Sequence, residues 1–345
     1  MNPPTILLGM PPDNQIFRLI ETNLRHHGFE VVNIVDDGSR FRYPSLYARL
    51  QTKLRQLLLQ DQTAKQHLRD RQASQHIHSQ LDRYGHFDYG LFIRADIYPR
   101  ETLSTIRKHI RYSMVNYQWD GLQRYPDIQS RISLFNRFYV FDPSDVAGSL
   151  LPNTNFYFDH DLADLPDPTT DFYFVGSHLD SRMPSIAAFA RKAREKGWKL
   201  DFQIYCGSKK QGSFQHYRSL YPDGNIRLLN HHKSFQENLD SAKRAKVLVD
   251  FKAAAHNGLS FRVFEALGYQ RKLITTNADV AKYDFYHPDN IFIWDGVHFD
   301  GMEEFLVSPY HVLNPDIRSK YSFGNWIRYV LNLPPYQAIR LPATE

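Results

Sequence analysis

The chain has 345 residues, 42% of them hydrophobic and 23% charged, which suits about two domains of roughly 100–200 residues and is too apolar for a disordered polymer. Its net charge of +5 fits anionic partners such as nucleotides or the inner face of a bacterial membrane, but basic and acidic residues are interspersed with no dense Lys/Arg run, which counts against nucleic acid. No run of about 18 apolar residues offers a membrane span, and a single cysteine, Cys206, excludes an internal disulfide and any multi-cysteine metal site and reads as a buried thiol in a reducing, cytoplasmic setting.

The opening MNPPTILLGMPPDN has no basic segment ahead of a long apolar one, so TILLG (5–9) reads as a first strand and not as part of a signal peptide. A helix over 14–27 ends at Gly28, and FEVVNIV (29–35) is the next strand. The polar segment 44–83 carries Leu46, Leu50, Leu54, Leu57 and Leu58 at helical spacing, which predicts helix and not disorder. YGLFIRAD (89–96), a helix over 100–110, RYSMVNYQWD (111–120) and RFYVFD (137–142) continue the alternation, so the first half is an open α/β sheet. FDHDLADLPDPTTD (158–171) loses periodicity and is rich in Asp and Pro, the composition of a linker.

The second half alternates more clearly. FYFVG (172–176), DFQIYC (201–206), NIRLL (225–229), KVLVDF (246–251), KLITT (272–276) and IFIW (291–294) are short, nearly continuous apolar runs, the mark of strands buried on both faces. Between them, MPSIAAFARKAREKG has Pro184 in its first turn and Gly197 at its stop, and SFQENLDSAKRA pairs Ser234 with Glu237 three residues on, a capping box. The fold class is therefore α/β, with two Rossmann-like doubly wound domains facing each other across a cleft. YSFGNWIRYVLNL (321–333) forms a last helix before the tail. In such sheets ligands lie beyond the carboxyl ends of the strands, and candidate residues are sought there.

HNGLSFRVFEALG (256–268) follows KVLVDF after a short loop. His256 or Asn257 is placed to cap a helix that Gly268 ends, while Gly258 lets a ligand approach the backbone. Leu259, Val263, Ala266 and Leu267 share the face that packs on the sheet; Gly258, Arg262 and Glu265 share another. A diphosphate at the open tip formed by Asn257, Gly258, Leu259 and Ser260, with Arg262 one turn on, uses the free N–H groups and the helix dipole. Glu265, a turn deeper, is a bidentate acceptor for ribose hydroxyls. The plainer reading is an Arg–Glu pair on an exposed helix, worth a few tenths of a kcal/mol.

This stretch, with the following YQRKLITTNADVAKYDFYHPDNIFIWDG, resembles the C-terminal half of bacterial lipopolysaccharide and capsular polysaccharide glycosyltransferases of the GT-B fold, most closely over about 171–295. Many of those enzymes carry two glutamates eight positions apart; Glu265 matches the second, and Asn257 stands at the first. The resemblance implies an acceptor-binding domain over 1–160, a nucleotide-sugar-binding domain over 171–320 and a helix and tail over 321–345. It implies transfer of a sugar from a nucleotide-sugar to a hydroxyl of a glycan or lipid-linked glycan, at the inner face of the cytoplasmic membrane, without metal or other cofactor. The missing first glutamate points to an inverting reaction. A nucleotide-sugar epimerase of the same fold and a non-catalytic binding module are the alternatives.

In FVGSHLDSRM (174–183), Gly176, Ser177 and Arg182 have the strand–loop–helix arrangement of a phosphate loop. Lys252, just after KVLVDF, can neutralise a phosphate; IYCGSKK (204–210) is placed to meet a base through its backbone, and Thr276 and Asn277 end another strand. Inverting transfer needs a general base at a strand end, and the candidates are Asp120, favoured, then Asp96, whose neighbour Arg94 is placed to pair with it, and Asp13. Tyr117 and Trp119 offer a sugar-stacking surface. Sixteen histidines show no metal-ligand spacing, and neither a GxSxG elbow nor a phosphate-binding GxxxxGK[ST] loop occurs.

Overall fold

A computed structural model describes residues 3–343 apart from 40, 44, 48, 51–63, 161, 163–164, 208–210, 223 and 255. The chain divides into two compact units: residues 1–118 with 125–138, and residues 119–124 with 139–345.

The first sheet contains β1 (Thr5–Gly9), β2 (Glu30–Asn33), β3 (Phe87–Ile93), β4 (Ile110–Gln118), β5 (Arg137–Val140) and β6 (Leu150–Pro152), in the order β2-β1-β3-β4-β5-β6. β1 pairs in parallel with both β2 and β3, and β3 with β4. The strands are buried because helices cover the sheet. In α1 (Ile16–His26), Ile16, Phe17, Leu19, Ile20 and Leu24 are buried at helical spacing, and Arg25 and His26 lie in the last turn, where the dipole favours cations. α2 (Ala64–Tyr84) and α3 (Arg100–Lys108) follow. Of the leucines that suggested a helix ahead of α2, Leu54, Leu57 and Leu58 lie outside the described residues. Residues 46–47 and 49–50 are helical, as the spacing predicts, with Leu46 and Leu50 exposed.

The second sheet contains β7 (Thr170–Ser177), β8 (Leu200–Tyr205), β9 (Ile226–Leu229), β10 (Ala245–Asp250), β11 (Lys272–Thr275) and β12 (Ile291–Ile293). Its order is β12-β11-β10-β7-β8-β9, with every neighbouring pair parallel. The chain winds outward from β7 to β9, returns to lay β10 beside β7, and winds outward again. That is the doubly wound dinucleotide-fold order, and its topological switch point lies between β7 and β10. α4 (Met183–Lys196), α5 (Gln211–Leu220), α6 (Phe235–Lys243) and α7 (Phe261–Tyr269) connect the strands. Phe189 of α4 packs with Phe172, Phe202 and Trp294 in the core on one face. Cys206 is buried there too, and burial pushes its thiol up to about 11, the inert state expected of it. Ser234 and Glu237 form the anticipated capping box of α6.

α8 (Met302–Val307), α9 (Pro315–Lys320) and α10 (Phe323–Leu331) complete the second unit. α10 packs on the chain just after β6: Phe156 meets Trp326 at 4.7 Å, Tyr157 bridges to Ser322, and Tyr139 Oη donates to the Tyr329 carbonyl. These contacts place residues 139–160 and 321–343 in one unit. Among the described residues, no helix is long and apolar enough to cross a membrane.

Candidate functional site at the switch point

The loop between β10 and α7 differs from its expected form. The helix begins at Phe261 with Ser260 as its N-cap, not at Gly258, and it runs through Gly268 to Tyr269, where Gln270 takes the left-handed C-cap. Gly268 is inside the helix because Tyr157 lies against it: a Cβ there would stand 2.5 Å from the tyrosine ring. The expected open tip is filled. Asn257 N–H donates to Asp142 Oδ2, the Leu259 carbonyl accepts from Asn155 Nδ2, and Leu259 is buried. Gly258 lies under Phe141, whose carbonyl oxygen would be 2.8 Å from an added Cβ. The glycine admits a phenylalanine, and the Asn257 N–H is already committed to Asp142, while the Asn257 side chain stays exposed.

The charged residues gather one step further in. Asp250, the last residue of β10, is buried; its Oδ1 accepts from Ser260 Oγ at 2.7 Å and its Oδ2 from Thr275 Oγ1 at 3.0 Å. It ties the helix start to β11, and Ser260 spends its hydroxyl on this bond instead of on the helix N–H groups. Arg262 lies over the Tyr173 ring at 4.9 Å and reaches the Val175 carbonyl at the end of β7. Its Nε is 3.4 Å from Glu265 Oε2, and the two side chains are only 11% and 6% exposed, so this is a buried ion pair and not a solvated helix face. Burial raises the Glu265 carboxyl above its usual range, against the pull of Arg262. Burial opposes the Arg262 charge, yet Glu265, Tyr173 and Asp250 hold it above its ordinary value.

Arg182 joins this group from the loop after β7. One terminal nitrogen donates to the Ser177 carbonyl and the other approaches the Phe251 carbonyl at 3.5 Å, so the guanidinium spans the ends of β7 and β10 beside Gly176. Burial lowers its pKa, Asp250 opposes that, and the charge of Arg262 adds to it. Two buried N–H donors at this edge have neither a hydrogen-bond nor an ion-pair partner, Nε of Arg182 and Nη1 of Arg262, while Arg262 Nε faces Glu265. Unpaired donors on a desolvated cation are unfavourable by roughly 1–3 kcal/mol each and are what an anion satisfies.

Of the other candidates, Lys252 sits at the carboxyl end of β10 as expected, but its Nζ is paired with Asp279 Oδ2 at 3.0 Å. Thr276 Oγ1 accepts from Lys252 N–H, and Asn277 caps the turn Ala278–Lys282. Of IYCGSKK, Ser208, Lys209 and Lys210 lie outside the described residues. Asp120 belongs to the second unit, with 18% of its side chain exposed and Arg124 at 3.3 Å. Its neighbour Trp119 contacts Phe261, the first residue of α7, edge-to-face at 6.0 Å, so the Asp120 segment adjoins the helix start. Tyr117, by contrast, is fully buried and offers no stacking surface. Asp96 lies in the first unit after β3, locked to Arg94 at 2.8 Å as anticipated. Among the described residues no cluster of three or more His, Cys, Asp or Glu is placed to hold a metal ion.

Sequence reasoning missed Asp250, Asp142 and Phe141. Asp250 had a visible signal, an acid closing the apolar run KVLVDF, but its partner Thr275 follows only from the register that sets the two side by side. Phe141 and Asp142 lie more than 100 positions from the loop they fill.

No family model and no curated protein matches the chain. Among solved structures it is similar to the apo form of the lipopolysaccharide outer core galactosyltransferase WaaB, with 11% identity over 92% of this chain and 96% of that one and a TM-score of 0.44. It is similar also to a glycosyltransferase from Rickettsia africae ESF-5 (11% identity, 96% of this chain, 94% of that one, TM-score 0.48). A third is UDP-GlcNAc 2-epimerase from Neisseria meningitidis bound to UDP-GlcNAc (9% identity, 95% and 98%, TM-score 0.49). At these identities the likeness concerns fold alone.

Proposed function

We propose that the chain is a glycosyltransferase that binds a nucleotide-sugar at the β7–β10 switch point and moves its sugar to a hydroxyl of a bacterial surface glycan, working beside the membrane, with inversion and without a metal. The observation that carries this reading is the pair of partly buried guanidiniums, Arg182 and Arg262, each with a buried, unpartnered N–H donor at the strand ends where a doubly wound sheet takes its ligand. Two fixed cations there suit the diphosphate of a nucleotide-sugar, and they stabilise the charge that grows on it as the glycosidic bond breaks. Gly176 and Ser177 border the same edge, and Asp250 holds Ser260 and the helix start in register with it.

Glu265 takes a different part from the ribose contact expected of it. Buried against Arg262, it orients the guanidinium, as a positioning residue. Asp120 is the acceptor base in this reading: a mostly buried carboxylate on the segment that adjoins α7 removes the hydroxyl proton as the sugar is transferred.

The test is a thermal-shift screen of UDP, GDP, ADP and CMP on the full chain, followed by product analysis with the stabilising nucleotide's sugars. Stabilisation that is lost in Arg182→Gln supports the site. Conversion of the nucleotide-sugar in the absence of any acceptor makes the protein an epimerase, and the absence of stabilisation by every nucleotide removes both enzyme readings.

A further inference from the structure

The first unit holds a cavity of about 330 Å³, remote in sequence from the switch-point residues. It opens where the chain leaves β2 and is walled by α2, with Asp36, Phe41, Arg42, Arg69, Gln72 and His76 among its lining. Its volume is at the lower end of the small-ligand range, the size of a monosaccharide and not of a nucleotide-sugar.

The arrangement of Arg69 is the informative feature. Its guanidinium lies 5.6 Å from the centre of the Phe41 ring and packs against Gly38. Its Nε is buried with no hydrogen-bond partner, and no ion pair joins it to a described acid. The acid of the lining, Asp36, accepts from Gly38 N–H through one carboxylate oxygen. Arg42 is fixed across the opening: Nη1 donates to the Ser39 and Phe41 carbonyls, and its backbone N–H and carbonyl both bond the Gln72 amide. A partly buried guanidinium that keeps its charge without a counter-ion is unfavourable unless an anion fills the place. Arginine suits a planar or tetrahedral oxyanion, and an aromatic floor suits a sugar ring.

We infer that this cavity binds the phosphate of a sugar-sized phosphomonoester, with Arg69 as the principal contact and Arg42 at the rim. That the phosphate belongs to the sugar acceptor rests on the transferase reading; the anion site itself does not.

The experiment is isothermal titration of the full chain with glucose 6-phosphate, inorganic phosphate and glucose. Both phosphates bind and compete with each other, and glucose alone does not. Arg69→Gln weakens both by about 10-fold or more, the effect of one lost charge-assisted hydrogen bond, while Arg69→Lys keeps the charge and most of the affinity. Arg42→Gln, an exposed change with little effect on folding, weakens binding less. Arg182→Gln leaves it unchanged, which separates this cavity from the switch point. Phosphate binding indifferent to both Arg69→Gln and Arg42→Gln, or lost in Arg182→Gln, overturns the inference, as does glucose binding as tightly as its phosphate. UDP binding is read on the same variants: its absence with the phosphate site intact sinks the transferase reading alone.

Discussion

Replacing Arg262 by Met tests whether the Arg262–Glu265 pair is the buried unit described. Both side chains are about nine-tenths buried, so solvent screening is slight, and deleting one partner leaves the other charged and unpaired. Losses from breaking such pairs run about 3–5 kcal/mol, or roughly 6–20 °C in Tm for a unit of some 200 residues. The loss depends on pH with a definite sign. Glu265 already titrates above its usual 4.5 through burial, and without Arg262 it titrates higher still. A group whose folded pKa is raised contributes stability below its unfolded pKa and loses it as pH rises through the folded value. Arg262→Met is therefore nearest to wild type at about pH 4.5 and falls further behind toward pH 8. The double variant Arg262→Met/Glu265→Leu recovers most of the loss, because apolar groups of similar volume replace a buried pair well. All four tryptophans, Trp119, Trp198, Trp294 and Trp326, lie in the second unit, so urea unfolding followed by tryptophan fluorescence reports that unit alone. A deficit under about 1 kcal/mol, equal at pH 5 and pH 8, would show a solvated surface pair and refute the buried arrangement.

Gly258→Ala forces a methyl against the Phe141 ring and its carbonyl; the backbone cannot yield cheaply, and the expected loss is about 1–3 kcal/mol in the same fluorescence assay. Asp120→Asn abolishes sugar transfer while leaving the nucleotide thermal shift intact; an active variant moves the role of base to another carboxylate. Ser234→Ala removes the capping box of α6 and lowers stability by about 1 kcal/mol, with nucleotide affinity unchanged.

The layout was legible because strands buried on both faces leave short apolar runs with helices between, and each of the six predicted in the second half overlaps a strand. The capping box of Ser234 and Glu237, the strand-end position of Lys252 and the Arg94–Asp96 pair were readable for the same reason: they are local. The helix read from the leucine spacing in the N-terminal polar segment is present where that segment is described, at 46–47, 49–50 and Ala64–Tyr84, although spacing says nothing about whether a partner covers the leucines, and Leu46 and Leu50 face solvent.

At the candidate site the local signals gave positions along the chain but not the neighbours that surround them. Spacing put Arg262 and Glu265 on one helix face but could not show that β7 lies against that face, which turns a solvated pair into a buried one. Gly258 was read as the point where a ligand approaches the backbone; the group that lies against it is Phe141, from a segment no short-range pattern connects to it. A filled glycine tip shifts the argument for an anion from backbone N–H groups to side-chain guanidiniums, and the two make different demands. Backbone amides would tolerate any side chain at 182 and 262. A guanidinium site does not: Arg182→Lys keeps the charge but loses the fork that spans the Ser177 and Phe251 carbonyls, so it weakens nucleotide binding nearly as far as Arg182→Gln. Equal affinity in wild type and Arg182→Lys would return the diphosphate to the helix start.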